Sequence, residues 1–201
     1  MLIADISPPL AEPEVFCDLA TVFAPCEFRI KWAADGWEAD EARRLRRAVF
    51  CVEQGIFVGD DRDAIDADAQ TIVALSIVGG MPDQVVGTVR IHEEDPGLWW
   101  GSRLAVHAAF RKHGRLGATL IQLAVRSAHA LGCERFLAHV QSQNVAMFER
   151  LHWRALEVET LHGRPHARME PDLAHYPPCT DPWTGLIARS AVSSNAPGAR
   201  P

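Results

Sequence analysis

The sequence has no apolar run that approaches the length of a membrane-spanning helix, which needs about 20 residues. Its first residues, MLIAD, also lack the cationic segment and the long apolar segment of a secretory signal. We therefore expect a protein of the cytoplasm that does not contact a membrane.

Cysteine follows no recognisable pattern. The five cysteines lie at irregular spacings that fit neither a disulfide framework nor the CxxC pairs of a zinc site, so we expect reduced thiols and no bound metal. Lysine is scarce as well, because Lys31 and Lys112 are the only two and nearly all positive charge is arginine. The formal net charge of −6 argues against a nucleic-acid binder, since such proteins follow the phosphate backbone with a basic surface.

The sequence does contain enough apolar residues for the core of one domain. It has 201 residues, of which 48% are hydrophobic, and this composition excludes a wholly disordered chain. Prolines near the start and a stretch rich in Ser, Gly and Pro at the end mark the limits of the domain. We predict an N-terminal arm at 1–26, a globular domain at 27–178 and a flexible tail at 179–201.

Hydrophobic periodicity predicts a mixed α+β fold. Apolar residues at three- and four-residue steps predict helices at 38–54 and 114–131, and Gly132 ends the second of them. Strands are predicted at 27–32, 71–78, 85–91, Leu98–Val106, 135–140, Trp153–Leu161 and 166–169, with a short helix at 144–151. This order places antiparallel strands first and a β-α-β crossover after them, which is typical of a mixed, mostly antiparallel sheet flanked by helices.

A short basic loop with two glycines separates the strand Leu98–Val106 from the helix at 114–131. The start of a helix exposes unpaired N–H groups and a partial positive charge, and glycines let the backbone approach a ligand closely. The loop therefore predicts a cradle for a pyrophosphate, with an ordinary basic turn before a surface helix as the alternative. Its residues are Arg111, Lys112, His113, Gly114, Arg115, Leu116, Gly117, Ala118 and Thr119.

Three motifs in order resemble the GNAT superfamily of N-acetyltransferases. They are Arg-x-x-Gly-x-x-Gly-Ala at 111–118, Asn-Val-Ala-Met-Phe-Glu-Arg-Leu at 144–151, and Arg-x-x-Val-Phe-x-x-Glu-Gln at 46–54, which an acidic loop follows. The third motif resembles the ElaA-like branch, and in particular N-acetyltransferases associated with nitrilase-containing gene clusters. The resemblance covers residues 27–178.

The resemblance implies a GNAT-type acyl-CoA N-acyltransferase fold and direct transfer of an acetyl group from acetyl-CoA to the amine of a small acceptor, without a metal. The net charge of −6 predicts no nucleic-acid partner, and the hairpin Trp153–Met169 is compatible with a homodimer, although nothing in the sequence requires one. The donor would be bound by the loop at 111–119 and by five further residues: Leu104, Ala105, Val106, Asn144 and Phe148.

Transfer to an amine needs a base that takes the amine proton. The candidates are Glu53 and His139, with Glu93, Glu94 and His107 also near the expected site, and each of them can equally be an ordinary solvated or half-buried side chain.

The acceptor side is predicted from charge and from an aromatic pair. An acidic loop that includes Asp61 and Asp63 predicts a cationic acceptor by charge complementarity. Successive strand residues point to opposite faces, so one of Trp99 and Trp100 is expected in the core, and we assign the other, Trp100, to the wall of the acceptor site.

Some residues depart from the family pattern. Phe148 replaces the usual Tyr that protonates the departing thiolate, His152 replaces a Gly, and Arg115 stands where the first loop Gly is usual. Two alternatives therefore stay open. One is an acyl-homoserine-lactone-synthase-like enzyme whose carrier-protein donor docks on a basic cluster, and the other is a non-catalytic acyl-CoA-binding domain. The basic cluster is Arg43, Arg44, Arg46 and Arg47.

Overall fold

The computed structural model describes residues 25–113 and 115–190, and these form one mixed eight-stranded sheet with helices on both faces. The strands lie in the order β6-β7-β5-β4-β3-β2-β1-β8. They are β1 (Glu27–Trp32), β2 (Gln70–Val78), β3 (Met81–Asp95), β4 (Leu98–Val106), β5 (Arg135–Gln141), β6 (Trp153–Leu161), β7 (Arg164–Pro171) and β8 (Leu186–Arg189). The helices are α1 (Gly36–Arg47), α2 (Leu116–Ala130) and α3 (Val145–Glu149).

Helix α1 is anchored at its start and widens at its end. The buried carboxylate of Glu38 accepts hydrogen bonds from the Ala34 N–H at 2.7 Å and from the Lys31 ammonium at 2.8 Å, which ties the helix to β1. The predicted helix at 38–54 is confirmed as far as Arg47, after which the chain continues as a π-helical turn, Ala48–Glu53. Such widened turns occur often at functional sites.

The crossover predicted in the second half of the chain is present. Strands β4 and β5 are parallel and α2 connects them, whereas the other neighbouring strands are antiparallel. Buried side chains of α2 face the sheet, among them Leu120, Leu123 and Ala124, and Trp99 lies in the same core. The mixed α+β fold class is therefore confirmed, as is the assignment of one tryptophan of the pair to the core.

The predicted flexible tail at 179–201 is wrong as far as residue 190. Strand β8 pairs with β1, and the Trp183 ring packs edge-on against Trp32 with ring centroids 5.1 Å apart. A four-residue edge strand is too short to show a periodic pattern, which is why the sequence did not reveal it. The rest of the tail and the arm as far as residue 24 lie outside the described residues.

The expectations of reduced cysteines and of no membrane-spanning helix concern the described residues as well. The four cysteines that it contains are all free thiols: Cys26, Cys51, Cys133 and Cys179. Within the same ranges, none of the helices has the length and apolar character needed to cross a bilayer.

Three arginines and three aspartates form an ion-pair network between α1, the following loop and strands β3 and β4. Arg46 contacts the carboxylates of Asp61 at 2.8 Å and of Asp66 at 2.5 Å. Charges removed from water are stable only when they are paired, and here the numbers of positive and negative groups are equal. The network residues are Arg46, Arg90, Arg103, Asp61, Asp63 and Asp66.

The network overturns two expectations. The carboxylate of Asp61 is 1% exposed and lies between Arg46 and Arg103, so Asp61 does not bind an acceptor. Three arginines pair with three of the five aspartates at 60–68, so the charge of this loop is a weaker reason to expect a cationic acceptor. Arg46 is itself buried and is removed from the predicted docking surface for a carrier protein.

The contact of β8 with β1 depends on Gly185, which has φ +68°. A Cβ at this position would lie 1.9 Å from the Ile30 carbonyl oxygen, whereas a Cβ at Gly163, which has φ +71°, would meet nothing within 4 Å. We expect Gly163→Ala to cost about 1–2 kcal/mol for the left-handed backbone and Gly185→Ala to cost clearly more, because it adds a clash with backbone. Urea unfolding measures both, and equal costs would contradict the packed position of β8.

The ion-pair network makes folding stability depend on pH. Burial acts to raise the pKa of Asp66, but hydrogen bonds from Arg46 and from the Asp63 N–H hold this pKa well below its usual range. A depressed folded-state pKa stabilises the protein above the unfolded value of about 3.9, and this stability is lost as the pH falls below it.

We therefore expect Asp66→Asn to lower the free energy of unfolding by about 2–4 kcal/mol at pH 7 and by progressively less below pH 4. Asp68→Asn is the matched control, since Asp68 lies in the same loop and makes no ion pair among the described residues. A pH-independent loss in Asp66→Asn, measured by urea unfolding between pH 3 and pH 8, would exclude this role for the carboxylate.

Candidate active site

The sheet opens between the carboxyl ends of β4 and β5. The two strands pair only from Leu98↔Arg135 to Gly101↔Ala138. Beyond that point β5 pairs with β7, and the remainder of β4 pairs with β3 alone. Backbone groups at 102–106 therefore face an opening instead of a neighbouring strand on this side.

A β-bulge lies where the opening begins. The register between β3 and β4 shifts between Thr88↔Ala105 and Arg90↔Ser102, and Arg103 in the bulge has φ 55°. The Arg103 side chain holds this conformation, because its Nη2 donates to the Asp61 carbonyl oxygen at 2.8 Å and its guanidinium lies 4.6 Å from the centre of the Phe57 ring. A bulge redirects the backbone locally, here at the edge of the opening.

The opening leads into a cavity of about 400 Å³ on the sheet. Several residues predicted for the site line it together, although they come from five separate segments of the chain. They are Asp63, Trp100, Leu104, His139, Asn144 and Phe148. The predicted position of Trp100 in the cavity wall agrees with this lining.

The two candidate bases have different surroundings. Glu53 is outside the cavity lining, and its carboxylate accepts a hydrogen bond from Arg111 Nη2 at 2.5 Å, which lowers the pKa of Glu53 and makes it a weaker base. His139 lines the cavity, and its ring lies 4.9 Å from the Trp100 ring. Burial lowers the pKa of His139, so its imidazole is neutral at neutral pH and can accept a proton.

Helix α2 starts beside the opening, as the predicted cradle requires. Arg111, Lys112 and Arg115 are exposed here, and Arg111 Nε donates to the Val106 carbonyl oxygen at 3.1 Å. A Cβ added to Gly117 would meet nothing within 4 Å, so the first turn of α2 borders open space.

The other residues predicted to hold the donor are more enclosed. Ala105 and Leu116 have buried side chains, which leaves only their backbone for a ligand. His113, Ala118 and Thr119 are partly buried, and Gly114 lies outside the described residues.

Arg115 and His152 stand where the family pattern has glycine, and both keep the backbone conformation that glycine favours. Arg115 has φ 50° and His152 has φ 61°, and both values fall in the left-handed region. This conformation costs about 1–2 kcal/mol for a residue with a side chain. The loop and the turn after α3 therefore retain the glycine-type backbone shape, with strain at both positions.

Sequence reasoning missed the residues that close the cavity on the side of α1. Phe57 lies edge-on to His162 with ring centroids 4.8 Å apart, and Arg164 donates to the Gln54 carbonyl oxygen at 2.5 Å. The tip of the β6–β7 hairpin thus contacts the end of the π-helical turn. No local pattern marks such a contact, because its partners are about a hundred residues apart in the chain.

The chain was also compared with known families and proteins. The model of the "Acetyltransferase (GNAT) family" matches residues 31–153. A Bacillus subtilis (strain 168) protein named "Putative acetyltransferase" is 32% identical over 134 residues, which are 64% of this chain and 85% of that protein.

Two solved structures have similar folds. An acyl-CoA N-acyltransferase from Pseudomonas aeruginosa is 25% identical with a TM-score of 0.58, over 72% of this chain and 97% of that one. Escherichia coli ElaA is 21% identical with a TM-score of 0.59, over 73% and 99%. The family match, the open sheet and the strand–loop–helix unit at 98–130 agree, and the chain belongs to the GNAT acetyltransferase family of acyltransferases.

Proposed function

We propose that the protein transfers the acetyl group of acetyl-CoA to the amine of a small acceptor by direct attack. The observation that carries the proposal is the opening between β4 and β5, which connects the start of α2 to the cavity that contains His139. In this reaction the amine nitrogen forms a bond to the acetyl carbon and the carbon–sulfur bond breaks. The electron pair of that bond leaves with CoA as a thiolate.

The residues around the opening fit the chemistry of the donor. N–H groups in the first turn of a helix and its partial positive charge favour a pyrophosphate, and Lys112 and Arg115 add positive charge beside this turn, while the charge of Arg111 is paired with Glu53. The backbone at 104–106 has no strand partner on the side of β5, so it is available to pair with an extended amide-containing chain. Acetyl-CoA, when bound, supplies an activated acetyl thioester.

The bulge at Arg103 suits the stabilisation of developing charge. An N–H group that points at the acyl oxygen lowers the barrier most when it is already in position before the reaction. The ion pairs of Arg103 with Asp61 at 2.9 Å and Asp63 at 3.0 Å keep the bulge in one conformation. We assign the stabilising N–H to this part of β4.

We assign the general base to His139. Its neutral imidazole can take the proton that the amine loses, whereas the carboxylate of Glu53 is engaged by Arg111. The Glu159 carboxylate lies 3.4 Å from His139 Nε2. Four charged or titratable residues of β6 and β7 contribute to the pKa of His139: Glu157, Glu159, His166 and Arg168.

Protonation of the leaving thiolate is assigned to solvent. Phe148 has no proton to donate, and it packs edge-on against Trp153 with ring centroids 4.9 Å apart. Tyr176 is the single tyrosine of the sequence, and its buried hydroxyl accepts a hydrogen bond from Trp153 Nε1 at 3.0 Å instead of lining the cavity.

The exposed surface of α1 lends little support to the carrier-protein alternative. Arg46 is buried in the ion-pair network, and Arg43 pairs with Asp40 on the surface of α1. Arg44 and Arg47 are exposed but offer only two charges. The non-catalytic alternative does not explain why a neutral imidazole lies inside the cavity.

Donor binding can be tested with Gly117→Glu, which places a negative charge in the open space at the start of α2. Acetyl-CoA at about 100 times its Kd should stabilise the wild-type protein by about 2.7 kcal/mol in a thermal-shift assay, and this variant should lose most of the shift. Gly36→Glu is the matched control, since Gly36 is the first residue of α1 and a Cβ there also meets nothing within 4 Å. The same loss in both variants, or no shift in the wild type, would refute donor binding at α2.

The base can be identified from the pH dependence of turnover on an amine found by screening. Wild-type kcat/KM should rise with pH along a limb centred below pH 6.5, because burial lowers the pKa of His139. His139→Ala should lose about 10²- to 10⁴-fold in kcat at pH 7.5 together with this limb.

His175→Ala is the control for the base assignment, because His175 lies outside the cavity lining. Turnover that survives in His139→Ala and is lost in Glu53→Gln would make Glu53 the base instead.

A further inference from the structure

The cavity lining contains two carboxylates, and they differ in charge balance. Asp63 is bound by Arg90 at 2.6 Å and by Arg103 at 3.0 Å, inside the balanced network. Glu94 also lines the cavity, but no Arg, Lys or His side chain of the described residues lies within 4 Å of its carboxylate. The unbalanced charge of the cavity is therefore the carboxylate of Glu94.

The partner of Glu94 is a neutral group. Trp100 Nε1 donates a hydrogen bond to Glu94 Oε2 at 2.7 Å, which sets the carboxylate beside the edge of the indole ring. His92 pairs with Trp100 across β3 and β4, and it is neutral because burial lowers its pKa. Its Nδ1 is buried without a hydrogen-bond partner among the described residues. Neither neighbour compensates the negative charge.

The indole ring of Trp100 connects this carboxylate to the proposed base. The ring packs against His139 with centroids 4.9 Å apart, while its N–H edge binds Glu94. A reacting amine at His139 and a second group at Glu94 would thus be separated by about the width of an indole. The ring offers an apolar surface to a short methylene chain and an attractive face to a cation.

We infer that Glu94 binds a second positive charge of the acceptor, so that the preferred substrates are diamines or other small amines with a further cationic group. This inference rests on the proposed function, because it places the reacting amine at His139. The Glu94 side chain lines the cavity but is exposed, so water weakens its attraction for a cation; for a charge-assisted hydrogen bond we still expect at least about a tenfold effect on kcat/KM.

The test compares straight-chain diamines of three to six methylene groups with monoalkylamines of the same length. The wild type should prefer the best diamine over its monoamine by at least about tenfold in kcat/KM, mainly through a lower KM. Glu94→Gln keeps an oxygen that accepts from Trp100 and removes the charge, so the ratio of kcat/KM for the diamine to kcat/KM for its monoamine should fall to near one.

Glu93→Gln is the matched control. Glu93 is the neighbouring carboxylate on β3, outside the cavity lining, and it accepts a hydrogen bond from the Gly97 N–H at 2.9 Å. This variant makes the same change of charge and should keep the wild-type preference. An equal drop in both variants, or a wild type without the preference, would overturn the inference.

A binding measurement separates this inference from the proposed function. Monoamine turnover without a diamine preference would leave the proposed function standing and refute the role of Glu94. Without turnover on any amine, the proposed function fails. A diamine-dependent thermal shift of the CoA-loaded wild type that is lost in Glu94→Gln would then still support the cation site. An equal shift in both proteins, or none, would refute it.

Discussion

Buried arginine charge, balanced by aspartate, is the constraint on which the geometry of the site depends. Arg90 is 2% exposed and lies on a central strand, where an unpaired charge would be very costly. The loop after the π-helical turn supplies the carboxylates that compensate it. One of these carboxylates, Asp63, also binds Arg103, so a group that compensates the buried charge of Arg90 also helps to hold the bulge of β4 in place.

This arrangement divides the acidic residues near the cavity into two functional kinds. Asp61, Asp63 and Asp66 serve the stability and shape of the site, and their three negative charges are compensated by three arginines. Glu94 lies outside the network, at the edge of Trp100. If Glu94 binds the acceptor as proposed, charge complementarity is a local property of this one side chain, and the number of acidic residues in the loop does not predict it.

Hydrophobic periodicity predicted those parts of the fold that depend on neighbouring residues in the sequence. The long amphipathic helix after the basic loop, the crossover and the core position of one tryptophan of the pair at 99–100 all follow from periodicity, and each is confirmed. Strand β8 was missed because its place depends on pairing with β1 at the other end of the chain. The resemblance to a family supplied the position of the site, which periodicity alone does not give.

The same limit explains the outcome for individual site residues. Sequence position cannot show that Asp61 meets Arg46 or that Glu53 meets Arg111, since these pairs join distant segments. Side-chain chemistry alone left both Glu53 and His139 as candidate bases, and their surroundings distinguish them. The closure of the cavity by Phe57 and His162 could not be predicted for the same reason.

The strained backbone at Arg115 has a consequence for encounter kinetics. The chain as a whole carries a formal charge of −6, so a polyanionic molecule is repelled at long range. Glycine at 115 would relax the backbone but would remove one of the few positive charges beside α2. Arg115 therefore lowers the stability of the backbone at this position but adds a local positive charge that attracts anions. The association rate of a phosphate-bearing donor should then fall as salt is added, because salt screens the attraction of this small basic area. The net negative charge of the protein alone would give the opposite change.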